Sequence, residues 1–161
     1  MPSFRDLPPD ALRAHRETVL LRLLLRTSQI EINELVRRLR ARGHATQTSY
    51  IGVLGNVDTE GTRLVTLAGR LGTSRQAAGQ LVSAIESAGF LERVPDPDDR
   101  RGVLVRHTIA GRNLLADALT DMADIEAGYA DLIGPSRMKA LKRALAEIAD
   151  ATDPVSALRR R

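Results

Sequence analysis

Hydrophobic positions recur at helical spacing over most of this chain and shift to a shorter rhythm in only one region. From Asp10 to Arg42 there is no proline or glycine, and Leu12, Val19, Leu23, Leu35, Val36 and Leu39 return at helix-compatible steps. This predicts one long helix, or two joined near Thr27 to Gln29, stopped by Gly43 in the left-handed conformation. Val19 to Leu25 is apolar almost all round, which calls for burial on more than one side, either within the chain or against a partner subunit. Thr46 to Val57 reads as a short helix weakened by Gly52 and Gly55, and Asp58 to Thr62 as a turn. Leu64 to Val65 fits a brief strand, with Thr66 capping a short helix that runs through Leu71 and closes at Gly72.

The next segment carries the most information. Thr73 followed by Gln76 has the form of a capping box, so a helix should run from Ser74 to Ala88 and end at Gly89. At about 100° per residue, Arg75, Gln76, Gly79, Gln80, Ser83, Glu86 and Ser87 share one half of its circumference. Ala77, Ala78, Leu81, Val82, Ile85 and Ala88 share the other. One face packs on a core and the opposite face is offered to something outside. Phe90 to Val94 and Val103 to His107 have the strand rhythm, and Pro95 to Gly102 (PDPDDRRG) forms a charged hairpin tip between them. Thr108 caps a helix reaching to about Leu132, with Leu115, Leu119, Met122 and Ile125 near one stripe. Gly134 and Pro135 open a last helix, on which Met138, Leu141, Leu145 and Ile148 form a packing seam. Thr152 to Arg161 is expected to fray.

Composition sharpens this outline. With 161 residues, 43% of them hydrophobic, the chain is the size of one domain with ample material for a core. Cysteine is absent, which removes disulfides, thiolate metal sites and cysteine nucleophiles. Met1 to Asp10 has no apolar signal core and no apolar run is long enough to span a bilayer, so a cytoplasmic, membrane-free location is expected. Of the 24 basic residues only Lys139 and Lys142 are lysines, so nearly every positive charge is a planar guanidinium fork. The net charge of +4 is uneven: Thr62 to Arg112 holds eight basic and five acidic residues, and Asn113 to Ala151 four and seven.

Short helix, turn, capped helix with a polar face and charged hairpin follow one another in the order of a winged helix-turn-helix. A helix fits the major groove and presents side chains to base edges, while a hairpin beside it reaches the backbone or minor groove. Candidate DNA-binding residues are therefore Ser74, Arg75, Gln76, Gly79, Gln80 and Ser83 on the helix. Asp99, Arg100 and Arg101 are the candidates on the wing. Arg75 suits guanine and Gln76 or Gln80 adenine, Gly79 permits close approach, and Asp99 is placed to orient a wing arginine. Arg63, Arg70 and Arg106 are candidate phosphate contacts.

The run from Leu67 to Leu115 resembles the winged helix-turn-helix core of the MarR family of bacterial transcriptional regulators. Asp99, Arg100 and Arg101 before Val103 to Val105 match the family's wing signature, and Thr108 with Gly111 matches its Thr-x-x-Gly. The resemblance implies a mainly helical fold with a small β-hairpin wing. Residues 1–161 would form a single domain, with 46–108 as the winged helix-turn-helix and 9–45 and 109–151 as dimerisation helices. It implies a homodimer that reads a palindromic operator in double-stranded DNA, often as a repressor and often released by a small-molecule effector. The scarcity of aromatics, only Phe4, Tyr50, Phe90 and Tyr129, argues against a conventional aromatic-lined effector pocket.

No enzyme is expected. The chain lacks a phosphate loop with lysine, a Gly-x-Ser-x-Gly elbow and a zinc-protease helix, and Asp96, Asp98 and Asp99 sit in one loop without a partner histidine. His15, His44 and His107 lack ligand spacing, so neither a catalytic residue, a metal nor a cofactor is assigned. The alternative from another class is a dimeric winged-helix scaffold that does not read DNA.

Overall fold

The computed structural model describes residues 4–152; the side chain of Arg100 and, in the tail expected to fray, positions 153–161 lie outside the described residues. The chain divides into two compact units, Met1–Leu119 and Thr120–Arg161. Helices dominate both: α1 (Pro9–Thr18), α2 (Leu20–Ala41), α3 (Thr48–Leu54), α4 (Leu64–Arg70), α5 (Arg75–Ser87), α6 (Ile109–Ile133) and α7 (Pro135–Thr152). Three strands, β1 (Thr62–Arg63), β2 (Leu91–Asp96) and β3 (Asp99–His107), make an antiparallel sheet in the order β1-β3-β2.

The long amino-terminal helical stretch is two helices, and the joint is Val19, not Thr27 to Gln29. Val19 is extended (φ −70°, ψ 141°), serving at once as the end of α1 and the start of α2. Thr18 donates its hydroxyl to the His15 carbonyl at 2.9 Å, offering the backbone an alternative to the helical ladder. At the expected joint, Gln29 instead donates to Asn33 one turn on at 2.9 Å, and the helix continues. Gly43 ends α2 with a positive φ of 92°, as its position predicts.

The core of the first unit gathers Leu35 and Leu39 of α2, Val53 of α3, Leu67 of α4, Val82 and Ile85 of α5, Val105 of β3 and Leu114 of α6, all under 2% exposed or nearly so. Each such side chain contributes roughly 1.5–3 kcal/mol relative to exposure. By contrast Leu20, Leu21, Leu23, Leu24, Leu25 and Ile30 in the first half of α2 are exposed within this chain. On α6 the buried stripe is Leu114, Ala118, Asp121 and Ile125; Ile125 is buried as expected, but Leu115 and Met122 are half-buried and Leu119 exposed, so the earlier part of the stripe sits one position before the expected one. Gly111 sets that rotation, as a helix face without a Cβ lies against the Phe90 backbone. In the second unit Lys142 of α7 donates to both Glu126 carboxylate oxygens on α6 at 2.7 Å, and the seam residues Leu141 and Ile148 are exposed.

His107 is one of the buried polar groups, its Nε2–H donating to the Leu54 carbonyl at 3.1 Å. Burial holds its pKa below the ordinary value, only partly offset by that carbonyl. An unfolded histidine titrates near ~6.5. Stability is therefore complete above that pH and lost as pH falls below it towards the lowered folded value, because the unfolded chain takes up the proton first. Thermal unfolding should show a lower midpoint at pH 5.5 than at pH 7, with a smaller difference in His107→Gln.

Candidate nucleic-acid interface

Helix α5 owes its start to Ser74, whose Oγ accepts the Ala77 N–H at 3.1 Å. The cap is thus Ser74 and not Thr73, and α5 begins one residue later than the capping-box pattern suggests. Ala78, Val82 and Ile85 bury one side, and Arg75, Gln76, Gln80 and Ser83 are exposed on the other. Before it, α4 begins at Leu64, where a brief strand was expected; the strand is Thr62–Arg63, drawn into pairing with Val105 and Leu104. Thr62 fixes that position, its hydroxyl donating to Asp58 Oδ2 at 3.0 Å and accepting the Asp58 N–H at 2.8 Å. Thr66 lies inside α4 and caps nothing.

The hairpin reaches further than its composition indicates. Its strands continue through Pro95 and back from Asp99, leaving a turn between the paired residues Asp96 and Asp99. Pro95 is tolerated because β2 is an edge strand. The register jumps between Pro95, which faces Val103, and Asp96, so Arg100, Arg101 and Gly102 have no cross-strand partners and bulge from the ladder.

Asp96, which the sequence reading left out of the site, organises this bulge. Its side chain is almost fully buried, accepts the Arg63 Nε–H at 2.6 Å and the Asp98 N–H at 3.0 Å. The Arg63 guanidinium first, and then the Asp98 amide, hold the carboxyl below the usual carboxylate range. The pairing accordingly survives into acid and is lost only as pH falls through that lowered value. An aspartate accepting the amide two residues on is an ordinary turn signal, so Asp96 was detectable in the sequence. Asp99 accepts the Arg101 backbone N–H at 3.0 Å, orienting the chain at Arg101 and not its guanidinium.

Between the wing and α5 lies a groove of about 430 Å³ whose lining includes Arg63, Arg75, Arg93 and Arg101, with Asp99 the one acid among its lining residues. Arg75 and Arg101, far apart in sequence, are brought together. Neither makes an ion pair among the described residues. Arg93 was missed; its signal is the alternation along β2, which puts it on the same side as buried Leu91. The other candidates separate. Arg70 is largely buried, donating to the Asn56 carbonyl at 2.7 Å and pairing with Asp58 at 2.8 Å, so its charge is used inside the fold. Arg106 pairs with Glu92 at 2.8 Å and lines a different concavity. The Ser83 hydroxyl accepts from Arg93 at 3.2 Å.

Gly79 faces Leu64 of α4, and an added Cβ would meet Leu64 Cδ2 at an ordinary 3.6 Å. Nothing within the protein therefore requires glycine at this position. Gly79→Ala should stabilise by about 0.5–1 kcal/mol through helix propensity, read as a raised unfolding midpoint.

Tyr50 and Phe90 are buried in the core and line neither concavity. Among the described residues no cluster of His, Cys, Asp and Glu could hold a metal, and no helix is long and apolar enough to cross a membrane.

Helix, turn, capped helix and arginine-bearing hairpin make this a winged helix-turn-helix fold. Residues 46–102, which run from just before α3 through the wing, match the model of the MarR family, and the structural neighbours of the whole fold include MarR-family transcriptional regulators. A MarR-family transcriptional regulator from Rhodococcus sp. RHA1 is 24% identical, with 84% of this chain and 98% of that one covered at a TM-score of 0.65. CouR from Rhodococcus jostii RHA1, solved bound to p-coumaroyl-CoA, is 23% identical, with 86% and 94% covered and a TM-score of 0.66. RV1404 from Mycobacterium tuberculosis is 21% identical, with 94% and 99% covered and a TM-score of 0.63. No curated protein matches the chain.

Proposed function

We propose that this protein is a homodimeric, sequence-specific DNA-binding transcriptional regulator acting as a repressor at a palindromic operator. The observation that carries the reading is the groove in which Arg75 of α5 and Arg101 of β3 stand together, neither of them in an ion pair among the described residues. Arg101 neutralises phosphate and supplies affinity that falls with salt, while Arg75, Gln76 and Gln80 read base edges in the major groove. Two such helices, related by a two-fold axis, would meet half-sites about one helical turn apart. The exposed apolar first half of α2 and the exposed Leu132, Leu141 and Ile148 favour assembly with a second copy. CouR is solved with p-coumaroyl-CoA bound, and by that likeness a small ligand binds this protein too; release of the DNA by it, as the family resemblance implies, completes the scheme.

An electrophoretic shift assay with the gene's own upstream region against random duplex tests the reading. Wild type should prefer the former, Arg101→Ala should weaken binding about tenfold or more, and Gln76→Ala should chiefly relax preference at one base position. If wild type shows no preference and Arg101→Ala changes nothing, a scaffold role takes its place. Sedimentation giving a stable monomer at micromolar concentration would sink the dimer.

A further inference from the structure

We propose that Arg93 is a positioning residue of the DNA-binding face: it ties the outer strand of the wing to the reading helix so that Arg75 and Arg101 present a single groove. The inference rests on the DNA-binding reading above and goes beyond it in assigning how the two reading elements are held in register.

Arg93 lies on β2, opposite Val105, and its side chain crosses to α5. There the guanidinium donates through Nη1 to the Glu86 carboxylate and through Nη2 to Ser83 Oγ at 3.2 Å. Ser83 and Glu86 are three residues apart on α5 and so neighbours on its surface, a spacing that a planar fork bridges and a single ammonium does not. Elsewhere the hairpin is held at its root, where Phe90 donates to the Ile85 carbonyl and His107 to the Leu54 carbonyl, along β3 by its pairing with β1, and near its tip, where Asp96 binds Arg63 on β1. None of these side-chain or backbone hydrogen bonds joins the middle of β2 to the reading helix. Arg93 does, and it lines the same groove as Arg75 and Arg101.

Glu86 matters to the assignment. It is mostly buried beside Arg93 and cancels that charge, so Arg93 adds no unpaired cation for a phosphate, in contrast to Arg75 and Arg101. Its contribution to DNA binding is geometric. Reading helix and wing contact the duplex at separate places, and simultaneous engagement requires that their separation be fixed before binding.

The test uses the full chain and the duplex that wild type shifts preferentially, with affinity followed over a salt series. Arg93→Ala and Arg93→Lys should lose affinity alike, about tenfold, and Glu86→Gln should do the same. The logarithmic salt slope should stay at the wild-type value, since no phosphate contact is removed. In the Arg93→Ala background, Arg101→Ala should cost far less than it does in wild type, a coupling that general loss of structure would not produce. Should Arg93→Ala unfold, Ser83→Ala removes one arm of the tie and should give a smaller loss with the same unchanged slope. The proposal is overturned if Arg93→Lys keeps full affinity while Arg93→Ala flattens the slope by about 0.9, which marks a phosphate contact. It is equally overturned if Glu86→Gln binds more tightly, or if the two arginine variants are additive. Failure of the DNA-binding reading looks different: wild type itself then shows no preferred duplex.

Discussion

Replacing Gly111 with alanine is expected to lower the thermal unfolding midpoint by about 10 °C. Gly111 is in the first turn of α6, where alanine would normally be favoured by about 1 kcal/mol. Here, however, an added Cβ would overlap the Phe90 carbonyl oxygen and come within 3.0 Å of its carbon. That carbonyl cannot simply turn away, because it accepts the Thr108 N–H at 3.1 Å. Thr108 in turn donates its hydroxyl to the Gly89 carbonyl at 2.6 Å and accepts the Gly111 N–H at 3.0 Å. The end of α5, the start of β2 and the start of α6 are thus fastened at one point, and a methyl group there forces all three apart. Overpacking of this kind costs about 3 kcal/mol or more, and a domain of this size loses about 2–4 °C per kcal/mol. Gly128→Ala, also in α6 but with open space around it, should leave the midpoint unchanged or raise it. Circular dichroism melts of the two variants decide the matter, and a Gly111→Ala midpoint within about 2 °C of wild type would contradict the packing described.

The second large effect should fall on DNA binding. A Cβ at Gly102 would lie 2.8 Å from Asp96 Cβ and 3.1 Å from Asp99 Cβ, both atoms close to the backbone and unable to swing aside. Relief must come from opening the bulge, which displaces Asp96 from Arg63 and Asp99 from the Arg101 amide together. A strain of about 1–3 kcal/mol taken up by the wing corresponds to roughly 10- to 100-fold in affinity, at least the loss expected from Arg101→Ala. The wing tip is peripheral, so the unfolding midpoint should move by only a few degrees. Titration of wild type and Gly102→Ala against the same duplex, with melts alongside, checks it. Equal affinities would mean that the wing's conformation does not matter to binding.

What was legible in the sequence was local. The face of α5 followed from helical periodicity, and Ala78, Val82 and Ile85 are buried as that periodicity requires. Thr108 and Gly89 marked element ends because capping and left-handed stops are short-range. Elements decided by distant partners were misplaced: β1 formed two residues early, since Thr62 and Arg63 pair with strand residues some forty positions away. The stripe on α6 was rotated by contact with Phe90, which no spacing within α6 reveals. In the site, Arg75 and Arg101 came from motif order. Asp96 shows in the sequence as a turn former and Arg93 by the alternation along β2, but their contacts with Arg63 and with Ser83 and Glu86 depend on how the elements assemble.

The outer strand of the wing has one further consequence. A hairpin that projects into solvent exposes a row of backbone donors and acceptors to every other copy of itself. Here β2 is that open edge, and of its residues only Leu91 and Val94 are aliphatic, beside Glu92, Arg93, Pro95 and Asp96. Proline withholds an N–H where a foreign strand would need one, and the bulge from Arg100 to Gly102 twists the tip out of the flat geometry that stacking demands. The features that shape the wing also make its edge a poor template for joining edge to edge with another copy.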